Sequence, residues 1–102
     1  MNITRGTTPV IEFTFKHVNV SDIVVIYLTI SQSGDDLVER DLSTAIIGEK
    51  SVSWKLSQAE TIQLVRTNKV DIQIRYRTTD GSAYASRIYT RDVGQILREG
   101  TV

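Results

Sequence analysis

From Lys69 to Arg77 the chain alternates without interruption: Val70, Ile72, Ile74 and Tyr76 take every second place, with Lys69, Asp71, Gln73, Arg75 and Arg77 between them. A period of two is that of a strand with one face on a core and the other in water. Thr79-Asp80-Gly81 follows, a three-residue hairpin loop with glycine at the position that needs a left-handed backbone. Such a loop makes residues whose numbers sum to 160 face one another, so Tyr76 meets Tyr84, Ile74 meets Ser86 and Ile72 meets Ile88. A two-residue loop would set Ile74 against Arg87, which the apolar pattern disfavours. On the polar face this register gathers Arg75, Arg77, Arg87, Tyr89 and Arg91, with Ala83 and Ala85 among them.

The rest of the chain carries the same signature. Ile11, Phe13 and Phe15 alternate with polar neighbours behind Pro9, whose missing N–H is tolerated at a strand start. Residues 23–30 are apolar at nearly every position and rich in β-branched side chains, the pattern of a central strand covered on both faces. Ser33-Gly34-Asp35-Asp36 is turn chemistry before a short strand over residues 37–41, and Val52, Trp54 and Leu56 alternate in another. One segment departs from this period. Ser57-Gln58-Ala59-Glu60 fits a capping box, opening a short crossover helix near residues 57–65 that plugs the core with Ile62 and with Leu64 or Val65. The last residues, 92–100, hold too few apolar positions for a full strand and dock through Val93, Ile96 and Leu97, either on this chain or on another subunit. About six short strands, one crossover helix and no βαβ alternation predict an all-β fold, an immunoglobulin-like antiparallel β-sandwich; a small barrel is the competing architecture.

At 102 residues, with 40% hydrophobic and 24% charged positions, the chain suits one domain over residues 1–102 with a single core. It contains no cysteine, so disulfides, thiolate metal sites and a thiol nucleophile are all excluded. No apolar run approaches a membrane span or a secretory leader, which makes the cytoplasm the expected place of synthesis. Net charge is zero but unevenly placed: residues 1–50 carry four basic and seven acidic groups, residues 51–102 eight and five. That asymmetry favours oriented contact with a protein partner or with copies of the same chain, and is too small to imply nucleic acid.

No motif for catalysis is present: there is no G-x-S-x-G, no phosphate-cradling glycine loop and no Cys/His ligand spacing. The lone histidine, His17, reads as an ordinary strand-end residue, and Asp35, Asp36, Glu39 and Asp41 as a solvated turn and strand without calcium-loop spacing. The expectation is therefore no enzyme, no metal and no cofactor. Trp54 reads as core. The arginine and tyrosine cluster has two main readings, an outer sheet face kept soluble by charge or a protein contact in which Arg and Tyr are favoured; nucleic acid is a third, for which one tyrosine and a neutral chain make a thin case. Arg5, ahead of Gly6-Thr7-Thr8, is a further contact candidate or else an anchor for the N-terminal arm.

One resemblance runs through nearly the whole chain. The order Ile3-Thr4-Arg5-Gly6-Thr7-Thr8, the Ile11-x-Phe13-x-Phe15 strand, Ser21-Asp22-Ile23 leading to Tyr27-Leu28-Thr29-Ile30, then Ser53-Trp54-Lys55-Leu56-Ser57-Gln58-Ala59-Glu60-Thr61, and lastly Val70-Asp71-Ile72-Gln73-Ile74-Arg75 with Asp80-Gly81, resembles small prophage-encoded proteins of Gram-positive bacteria. It is similar, more distantly, to the N-terminal immunoglobulin-like domain of phage baseplate upper proteins. The resemblance implies a virion structural protein of a tail or baseplate, made in the bacterial cytoplasm, whose partners are other tail proteins or copies of itself. The alternative is a small carbohydrate- or protein-binding module that works through its loops.

Overall fold

The computed structural model describes residues 2–102. In chain order the elements are β1 Ile3–Thr4, β2 Val10–Thr14, β3 Ile23–Gln32, β4 Asp35–Asp41, β5 Ile46–Ile47, β6 Ser51–Lys55, the helix α1 Gln58–Ile62, β7 Val70–Thr78, β8 Ala83–Ala85, β9 Tyr89–Arg91 and β10 Val93–Gly94. The strands form two antiparallel sheets. The larger has the order β4-β3-β7, with β8 and β9 following one another along the far edge of β7; the smaller has the order β2-β6-β5. A two-residue parallel bridge, β1 with β10, brings the chain ends together.

The alternation seen in sequence becomes the two inner faces. Ile26, Leu28 and Ile30 of β3, Val38 of β4 and Val70, Ile72 and Ile74 of β7 pack against Ile11, Val52 and Trp54 of the smaller sheet in one buried cluster. Trp54 is fully buried, as its alternation predicts, and its indole N–H donates to the Asp41 carbonyl across the layers at 2.9 Å. At the same seam Arg40 reaches out of β4: its guanidinium donates to both Glu60 oxygens, at 2.8 and 3.1 Å, and to the Lys55 carbonyl. The opposite seam is aromatic, with Phe15 edge-on to Tyr76 at 5.1 Å and Phe13 edge-on to Tyr89 at 5.9 Å. Helix α1 crosses from the smaller sheet to the larger, as expected of a connection, and its capping box is complete: the Ser57 hydroxyl accepts from the Glu60 N–H while the Glu60 carboxylate accepts from the Ser57 N–H. It is shorter than residues 57–65; after Ile62 the chain turns, and of the two candidate plugs Leu64 is buried and Val65 exposed.

Three expectations are corrected. Strand β3 is central within its sheet but is covered on one face alone. Its other face, with Val25, Tyr27, Thr29 and Ser31, is open because the principal extents of 47 × 26 × 19 Å leave room for two layers and no third. Second, the 160 register holds from Arg77 opposite Ala83 to Arg75 opposite Ala85, and Gly81 adopts the left-handed conformation at φ 86°. Beyond Ser86 it fails. The Ser86 hydroxyl accepts from the Ile74 N–H at 3.0 Å and donates to the Arg87 carbonyl, so a side chain takes a place in the ladder and the strand bulges. Pairing resumes one residue later, with Tyr89 opposite Ile72 and Arg91 opposite Val70, and Ile88 is left 60% exposed. Third, Leu97 stands in solvent and does not dock with the tail; Val93 is buried beside Ile3 and Ile96 is half-buried, as expected of a tail that docks on its own chain.

Candidate interaction surface

The register shift divides the predicted arginine and tyrosine cluster. Arg75 and Arg77 remain on the outer face of the larger sheet, beside Tyr27 and Val25 of β3. Tyr89 turns to the inner side against Phe13, and Arg87 and Arg91 stack on its ring with guanidinium carbons 4.6 and 5.6 Å from the centroid. These three side chains form a separate group at the sheet edge, each cation over an aromatic face. Arg5 belongs to neither. It donates to the Ile62 carbonyl at 3.0 Å, the Leu64 carbonyl at 2.7 Å, the Gln95 side chain at 3.0 Å and the Glu99 carboxylate at 2.8 Å, which clamps the N-terminal arm, the end of α1 and the tail together. The pairing with Glu99 holds that carboxyl below the usual carboxylate range.

The outer face of the larger sheet is open. It forms a shallow groove of about 1040 Å³, floored by Val25, Tyr27 and Thr29, with Asp36 and Glu39 along one bank and Arg75 and Arg77 along the other. Tyr27 is 56% exposed at its centre, flanked across the strands by Asp41 and Arg75. Strand β4 lines the acidic side: Glu39 lies opposite Thr29, and Asp36 opposite Ser31, whose hydroxyl donates to it. The ion pairs among the described residues are Arg5–Glu99, Arg40–Glu60 and Lys69–Asp92. Hence Asp36, Glu39, Arg75 and Arg77 make no ion pair among the described residues, because β3 separates β4 from β7 by two strand spacings, about 10 Å. Asp41 is tied into the turn that follows β4. Its carboxylate accepts from the Ser43 hydroxyl and N–H, which lowers its pKa and caps the 3-10 turn Leu42–Thr44.

Among the described residues no three His, Cys, Asp or Glu side chains converge as metal ligands, and His17 is exposed just past β2. No helix of the described residues is long and apolar enough to cross a membrane. What the sequence reading missed is Tyr27 and the acidic bank beside it. Their signal was the inner row Ile26-x-Leu28-x-Ile30 set against the polar-tipped row Tyr27-x-Thr29-x-Ser31, hidden inside a run that is apolar overall.

A scan against protein-family models and a search of curated proteins both find no match to this chain.

Proposed function

We propose that this chain is a non-enzymatic structural or assembly protein of a phage or prophage particle, an immunoglobulin-like sandwich that takes its place in a tail or baseplate through protein–protein contacts. The observation that carries the reading is the outer face of the larger sheet, where an exposed Tyr27 lies between Arg75 and Arg77 on one side and Asp36 and Glu39 on the other. Tyrosine and arginine together combine apolar area with directional hydrogen bonds, the composition favoured at protein interfaces. The motif order from Ile3 to Gly81 supports the phage assignment, and the absence of a convergent catalytic or metal-binding group among the described residues agrees with a role through surfaces. Arg87, Tyr89 and Arg91 form a second contact group at the sheet edge. On this reading the protein is made in the bacterial cytoplasm and leaves with the particle, and nucleic acid is not its partner.

The test is to induce phage production in the source bacterium, purify particles by density and quantify this chain by mass spectrometry. A fixed copy number relative to a tail protein is the expected result. Absence from intact particles overturns the phage reading.

A further inference from the structure

We infer that the outer face of the larger sheet binds a second copy of itself, in a symmetric dimer with Tyr27 close to the two-fold axis; this rests on the reading of that face as a protein-contact surface. The argument is one of charge placement. Asp36, Glu39 and Asp41 lie along β4, and Asp71 lies opposite Ser31 at the same end of the sheet as Asp36. The cations Arg75 and Arg77 lie at the other end, on β7, opposite Tyr27 and Val25. Asp36 and Glu39 thus occupy the corner opposite Arg75 and Arg77, with Tyr27 and Thr29 between them, while Asp41 sits across Tyr27 from Arg75.

A two-fold axis lying in the plane of the face, across the line that joins the two corners, turns each corner onto its opposite in the other copy. Arg75 and Arg77 of each copy then cover Asp36 and Glu39 of the other, and the two Tyr27 rings meet near the axis. The same rotation about an axis along that line would set acid on acid, so the pattern also selects the geometry. A neutral chain loses nothing to net repulsion on pairing. Four strands about 4.8 Å apart and seven residues of about 3.4 Å each span about 14 by 24 Å. That footprint is smaller than the roughly 800 Å² per partner of a standard stable interface, so the dimer is weak in solution and sensitive to salt.

Two charge-reversed variants test it, one carrying Arg75→Glu with Arg77→Glu, the other Asp36→Lys with Glu39→Lys. All four residues are exposed, and circular dichroism checks that each variant folds. Sedimentation velocity at roughly millimolar protein and low ionic strength is expected to show dimers of the unmodified chain that dissociate as salt rises. Each variant alone is expected to be monomeric, since its face carries mainly one sign. An equimolar mixture of the two is expected to form a one-to-one complex at least tenfold tighter than the unmodified dimer. An unmodified chain that stays monomeric, a mixture that fails to associate, or variants that self-associate as well as the unmodified chain would each overturn the inference. None of these outcomes bears on whether the chain is found in particles, so a failure here is distinct from a failure of the phage reading.

Discussion

Arg5 is the residue through which three parts of the chain hold one another. Its fork donates to two carbonyls at the end of α1 and to a carboxylate of the tail, groups 57, 59 and 94 positions away. The planar five-donor geometry is what allows this, and lysine cannot reproduce it. Arg5→Lys is therefore expected to raise amide exchange across residues 95–102 and at Leu64 while leaving the β7–β8 hairpin protected; unchanged exchange in the tail would show that the clamp is not holding it. Gln32, at the end of β3, plays a corresponding part for the residues just after Leu64. Its buried amide donates to the Val65 and Asn68 carbonyls at 2.7 and 2.9 Å and accepts from the Val65 N–H at 2.8 Å. Replacing it with Leu leaves those backbone groups without partners, a loss of about 1–3 kcal/mol for each one that stays out of water, readable as a lower urea midpoint. The partners of neither residue are legible in the sequence, because they include main-chain groups that only the finished fold brings near. The place of Arg5 ahead of a Gly-Thr-Thr stretch does suggest an anchor for the N-terminal arm, but not what it holds on to.

At the scale of elements, legibility follows how local the determining forces are. The capping box at Ser57 and the loop at Asp80-Gly81 are set by residues within four positions of one another, and both are found as expected. Asp80 shows why the loop holds: its carboxylate accepts from the Thr78 hydroxyl at 2.6 Å and the Ser82 N–H at 2.9 Å. The register beyond Ser86 is different. Whether Ile88 or Tyr89 turns inward is decided by Phe13, more than seventy residues earlier, which offers Tyr89 an edge-on aromatic contact. Ser86 makes the bulge possible by supplying a hydroxyl where the ladder lacks a carbonyl. Ser86→Ala removes the acceptor of the Ile74 N–H, so it is expected to cost about 1–3 kcal/mol and to speed exchange of that single amide. A variant as stable as the parent, with the Ile74 amide still protected, would mean that the strand slips back into the simple register. Truncating Ile74 itself to Ala, beneath the bulge and 2% exposed, is expected to cost about 2–5 kcal/mol by chemical denaturation.

For the molecule as a whole, the sequence shows two kinds of strand face but not which face a second layer will cover, since that depends on how far the smaller sheet extends. With three strands against the larger sheet, it covers one side and leaves Tyr27 and its charged neighbours open. The charges elsewhere set how the whole fold responds to acid. Five carboxyls sit below their ordinary values: Asp41 through hydrogen bonds from Ser43, Asp80 through those of Thr78 and Ser82, Asp92 through Lys69, Glu99 through Arg5, and Glu60. Burial alone pushes Glu60 up, but the hydrogen bonds from Arg40 and the Ser57 N–H, with the guanidinium charge, outweigh it. A carboxyl depressed in the folded state takes up its proton first in the unfolded chain, so its contribution is complete above the unfolded pKa and is lost as pH falls through the folded one. The shifts share one sign, and their losses accumulate over the same window. Four of the five groups are solvent-facing pairs or caps that contribute little singly, which leaves the Arg40–Glu60 seam as the largest single part. The urea midpoint is therefore expected to be flat from about pH 7 to about pH 5.5 and to fall steadily below about pH 4.5, where free carboxylates begin to protonate. Glu60→Gln is expected to lower the midpoint at neutral pH and to flatten the acid limb. A midpoint that instead rises on acidification, or an acid limb that Glu60→Gln leaves as steep as before, would show that the seam between β4 and α1 is not where acid acts.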